Sequence, residues 1–119
     1  MLGISNLISG AFDATITAGT NVSSVTSDQA YYTRIGDIVT VYQYVLLTVT
    51  SADVTTTITS SLPVPSDFNS SVDAIGHGQY NANVVSNSST DNITVTFTPT
   101  LTGLQSFYYS YSYYYTPLP

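Results

Sequence analysis

The sequence has no cysteine, no tryptophan, no glutamate and no lysine, and it carries one arginine, Arg34, and one histidine, His77. Without cysteine there is neither a disulfide framework nor a thiolate metal site, so packing and assembly must supply the stability. A formal charge of −6 with a single arginine argues against a nucleic-acid partner, because neutralising phosphates takes several cations on one face. Anionic membrane surfaces are disfavoured for the same reason. The missing Glu and Lys, together with abundant β-branched residues, remove most good helix formers, and almost no helix is expected. The opening Met1 to Ile8 has no basic region and is interrupted by polar residues, which fits neither a signal peptide nor a membrane span.

What remains is apolar and hydroxylic. Hydrophobic residues make up 43% and charged residues only 7%, so Ser, Thr, Asn and Tyr must form most of the surface. At 119 residues the chain has the size of one domain with a single core. Met1 to Gly10 reads as an N-terminal tether, and residues 11–119 as the folded domain.

The strongest β signal runs from Tyr31 to Thr50. The odd positions Val39, Val41, Val45, Leu47 and Val49 share one face of a strand and read as core. The even row, with Tyr42, Tyr44 and Leu46 at its middle, is also large and apolar, so a second surface has to cover it. So short a chain has little material for a third layer, and a neighbouring copy is the expected cover, with Tyr42, Tyr44 and Leu46 at the contact. Gly36 and Asp37 mark a hairpin turn between Tyr31 to Ile35 and Ile38 to Thr50, with Arg34 placed to anchor it through an aspartate or to meet a ligand.

Around this hairpin the alternation predicts further strands. Phe12, Ala14, Ile16 and Ala18 form one face, and Val54, Thr56, Ile58, Ser60 and Leu62 another. Asn21 to Gln29 reads as a weak edge strand or a loop, because Val22 and Val25 are out of phase. Two prolines take Leu62 to Asn69 out of the ladder, with Phe68 pinning that loop to the core. In Asp73 to Val85, Gly76 and Gly78 indicate a bulge or a close backbone approach. Ser86 to Asn92 is an all-polar tip, and Ile93, Val95 and Phe97 point inward beyond it.

The last strand, Gln105 to Tyr115, sets Phe107, Tyr109, Tyr111, Tyr113 and Tyr115 in one row and Tyr108, Ser110, Ser112 and Tyr114 in the other. An enclosed aromatic side chain buries about 150 to 250 Å², worth at most about 4 to 6 kcal/mol by area, so the first row belongs in a core or a subunit interface. In the second row the serines leave grooves between Tyr108 and Tyr114, the candidate ligand-binding rings for sugars or other surface ligands. Regular strands separated by turn clusters predict an all-β fold, an antiparallel β-sandwich that is jelly-roll-like.

Composition nominates no catalytic residue. A Ser-His-Asp set can be imagined around His77 in any serine-rich chain, and the aspartates mark no acid and base pair for glycoside cleavage. No calcium-loop pattern, phosphate loop or amphipathic helix is present, so neither metal nor cofactor is called for.

The run Tyr32-Thr33-Arg34-Ile35-Gly36-Asp37-Ile38-Val39-Thr40-Val41 resembles a segment near the C-terminal ends of bacteriophage tail fibres and related virion fibres, including those of virophages. The resemblance continues loosely through Leu62-Pro63-Val64-Pro65, Gly76-His77-Gly78 and the aromatic ending. Tyr42-Gln43-Tyr44 departs from it, standing where a small residue or glycine is expected. The resemblance implies a homotrimeric β-sandwich head at the tip of a virion surface fibre, attaching to a host cell-surface receptor or glycan. Two further classes stay open: a structural virion protein such as a capsid decoration or fibre-trimerisation module, and a polysaccharide depolymerase.

Overall fold

The computed structural model describes residues 7–66, 68, 73–87 and 92–116. They form nine strands: β1 (Leu7–Phe12), β2 (Ile16–Ala18), β3 (Val22–Ile35), β4 (Ile38–Val49), β5 (Thr56–Ser61), β6 (Ala74–Gly78), β7 (Ala82–Ser86), β8 (Asn92–Phe97) and β9 (Gly103–Tyr114). A single 3-10 turn at Gln79–Asn81 is the one helical feature among the described residues. The strands run in one antiparallel ladder ordered β1-β3-β4-β9-β6-β7-β8-β5-β2. Within it, β9-β6-β7-β8 has Greek-key order: three hairpin-linked strands, with the fourth returning beside the first.

The sheet curls on itself, so strands far apart in the ladder meet through their inner faces. Phe97 on β8 and Phe107 on β9 are separated in the ladder by β6 and β7, yet their ring centroids are 4.0 Å apart. Val39, Val41, Val45 and Leu47 of β4 share this core with Ile58, Val84, Ile93 and Val95. The even row of β4 faces outward. Strand β9 turns Phe107, Tyr109, Tyr111 and Tyr113 inward, with consecutive ring centroids 6.1 to 6.4 Å apart. These four rings of the aromatic row thus belong to the core of their own chain, whereas Tyr115, expected with them, lies past the end of β9 beneath Arg34.

That row dictates the glycines of β6. A Cβ on Gly76 would lie 2.0 Å from the Ser110 carbonyl oxygen and 2.5 Å from Tyr111 Cβ, and one on Gly78 2.3 Å from the Tyr108 carbonyl oxygen. The close approach read from the sequence is therefore between β6 and β9. Phe68 packs edge-on against Tyr113, centroids 5.6 Å apart at 89°, and the Tyr113 hydroxyl donates to the Val64 carbonyl at 2.7 Å. These contacts hold the proline loop.

Four expectations need correction. Leu7 to Gly10 is not tether but strand, paired along β3, so the domain starts before Ala11; residues 1–6 of the expected tether lie outside the described residues. The Phe12 to Ala18 alternation is not one strand, because β1 pairs with β3 and β2 with β5 at opposite edges of the sheet. Asn21 to Gln29 is neither loop nor weak edge. It begins β3, where register shifts between Val22 and Ser24 and between Val25 and Ser27 bring both valines toward the core. Val54 leaves the inner face of the β5 region and is exposed, since it belongs to the turn opened by Asp53 at φ 60°. The middle of the polar tip, residues 88–91, lies outside the described residues.

Candidate binding face

The outer surface of β3, β4, β9 and β6 carries the candidate site, and strand pairing explains its pattern. One row across the ladder reads Tyr31, Tyr42, Ser110, His77; the next reads Gln29, Tyr44, Tyr108. Closer to the β3–β4 turn, Ile35, Ile38 and Tyr114 align, with Ile75 opposite Ser112 in the neighbouring row. Tyr31, Tyr42 and Tyr108 are each more than half exposed, as are Ile35, Ile75 and Tyr114. The rows carry no formal charge, although the chain bears −6.

This face divides by chemistry. The turn end is aliphatic, formed by Ile35, Ile38 and Ile75 beside Tyr114. The middle is aromatic and polar. Tyr44 and Tyr108 meet with ring centroids 5.1 Å apart at 50°, so Tyr44 is only half-buried by its own chain. On one side of this pair a groove of about 480 Å³ is bordered by Tyr42, His77, Gly78, Gln79, Tyr108 and Ser110. On the other a hollow of about 360 Å³ lies among Gln29, Tyr31, Tyr42, Tyr44 and Tyr108.

Tyr42, Tyr44 and Leu46, expected at a contact between copies, and Tyr108, expected at a ligand, thus share one face. Tyr114 does not join Tyr108: six positions along β9 separate them, about 20 Å, and Tyr114 borders a different, smaller hollow with Ile38, Asp73 and Ile75. Leu46 is half-buried among its neighbours.

The turn residues form a separate unit. Gly36 adopts φ +60°, Arg34 Nε donates to the Gly36 carbonyl at 2.8 Å, and a guanidinium nitrogen lies 3.9 Å from Asp37. The guanidinium also stands 4.8 Å over the Tyr115 ring, a cation–π contact. Arg34 is therefore engaged on three sides by its own chain.

His77 and Gln79 border the groove, and only Gly76 and Gly78 hinted at it in the sequence. The glycines let β6 close on β9, which carries the intervening His77 to the outer face opposite Ser110. Gln79 follows where the ladder stops, and its Oε1 accepts from the Tyr108 backbone N–H at 2.9 Å, replacing the lost strand partner. Among the described residues no three His or Asp side chains gather into a metal-binding group. No known protein family, curated protein or solved structure matches this chain.

Proposed function

We propose that the protein is the head domain of a virion fibre, a homotrimer that attaches to a host cell surface. The observation that carries the reading is the uncharged outer face with its exposed aliphatic end, Ile35, Ile38, Ile75 and Tyr114. Packing of copies through this end removes large apolar side chains from water, with Asp37, held by Arg34, and Asp73 at its margin. The contact centres on these residues and approaches Tyr42, about 13 Å from Ile38 along β4. Three-fold symmetry and attachment come from the resemblance of Tyr32 to Val41 to fibre tips. A jelly-roll-like sandwich is favoured by the order β4-β9-β6-β7-β8-β5, in which a Greek key is enclosed by β4 and β5.

Light scattering on the purified chain tests the assembly and should return the mass of three copies; a stable monomer at micromolar concentration overturns it. Labelling of cell surfaces by the purified protein, in competition with infection, tests attachment. Binding to capsids alone would instead favour a decoration protein.

A further inference from the structure

We propose that the groove between Tyr42 and Tyr108 binds one neutral pyranose ring. The inference rests on the attachment reading and deepens it by naming the ligand's chemistry. A sugar ring presents an apolar C–H face and a rim of hydroxyls, so its site needs an aromatic surface beside uncharged hydrogen-bonding groups. Tyr108 and Tyr42, both more than half exposed, supply the surface. Ser110, Gly78, His77 and Gln79 complete the lining with the buried Gln43 and Tyr109.

The construction of the edge points the same way. Strand β6 stops pairing with β9 at Gly78, and the chain turns away through Tyr80 and Asn81 at φ 56° and 58°, a left-handed conformation costly for a ring-bearing residue such as Tyr80. That departure opens the groove beside Tyr108. The Oε1 of Gln79 is held by the Tyr108 N–H, which fixes the side chain and leaves the amide NH₂ as a donor to an occupant. A volume of about 480 Å³ is in the range of small-molecule sites.

Charge selects among sugars. No carboxylate and no guanidinium borders the groove or the adjoining hollow, and the sole arginine is engaged at the β3–β4 turn. A sialylated, sulfated or phosphorylated glycan would find no arginine there and would meet the field of a chain at −6. A single neutral ring bound weakly by each copy is the kind of contact that repetition in an oligomer strengthens.

The test is saturation-transfer NMR on the full chain, with methyl glucoside, galactoside, mannoside and N-acetylglucosaminide as probes and sialyllactose as the anionic comparison. At least one neutral pyranoside should show transfer to its ring C–H protons. Tyr108→Ala should weaken that binding at least ten-fold. Gln79→Glu, which keeps the acceptor for the Tyr108 N–H but loses the NH₂ donor, should weaken it as well. Val54→Ala, at an exposed turn away from the groove, should leave it unchanged, and circular dichroism should show all three variants folded. Binding of sialyllactose alone, no transfer to any neutral probe, or transfer that survives Tyr108→Ala overturns the proposal. So does dissociation of the oligomer by Tyr108→Ala, which would mean that another copy fills the groove. A protein that labels cells but fails these sugar tests keeps the attachment reading and loses the groove; one that binds pyranosides through Tyr108 but labels no cell does the reverse.

Discussion

The hydroxyl of Tyr109 donates to the Oε1 of Gln43 at 2.8 Å, joining β9 to β4 inside the core. Ser60 of β5 reaches the same oxygen at 3.4 Å, so one buried amide links three strands, two of them neighbours in the ladder and the third across the core. Among the described residues the Nε2 of Gln43 is buried without a hydrogen-bond partner, so the amide is only partly compensated.

Removing one member of this pair should cost more than removing both. Tyr109→Phe and Gln43→Leu should each destabilise by about 1 to 3 kcal/mol, because each breaks a buried hydrogen bond and leaves the remaining partner less well satisfied. The double variant should recover much of that loss. Urea unfolding of the four proteins in a double-mutant cycle measures the coupling, and simple additivity would contradict it.

Tyr111 should set the alkaline limit of stability. Burial, reinforced by the neighbouring Tyr109 and Tyr113, pushes its phenol pKa well above the usual value of 10.0. The unfolded chain therefore loses this proton at about pH 10 while the folded chain retains it. The contribution is complete below about pH 10 and is lost progressively as pH rises toward the folded value. Its buried hydroxyl has no hydrogen-bond partner among the described residues, so Tyr111→Phe should raise stability by about 1 kcal/mol and move the alkaline unfolding midpoint upward. Unfolding followed by circular dichroism between pH 8 and 12 reads both effects.

Gly76→Ala should be among the most damaging single-methyl changes in the chain. The added carbon would meet the backbone of β9, which cannot move without displacing Tyr111 from the core. A loss of about 3 kcal/mol or more is expected, by thermal or denaturant unfolding, whereas Gly10→Ala, with its nearest contact at 3.7 Å on a side chain, should cost under about 1 kcal/mol.

Ile38→Asp combined with Ile75→Asp should convert the proposed trimer into monomers. Both side chains are exposed within the chain, so the strand content should be unchanged by circular dichroism. Sedimentation or light scattering at micromolar concentration gives the result, and an unaltered mass would remove the aliphatic end from the interface.

The β class, the inner row of β4, the aromatic row of β9 and the turn at Gly36 are legible in the residues alone, because strand alternation and turn chemistry are local and can be read a few residues at a time. Even Tyr108 as an outward ring followed from alternation alone. Long-range folding was needed to show that Tyr108 meets Tyr44, that Gln79 accepts from the Tyr108 N–H within β9, and that β1 and β2 part to opposite edges. Each depends on which strands pair and in what register, with partners as far apart in the chain as Ile38 and Tyr114. The two bulges at the start of β3 show the same division: they shift phase locally, but only pairing with β4 shows that Val22 and Val25 both turn inward. Local alternation assigns each side chain to one of two faces, whereas long-range pairing decides which faces become core, groove or contact surface.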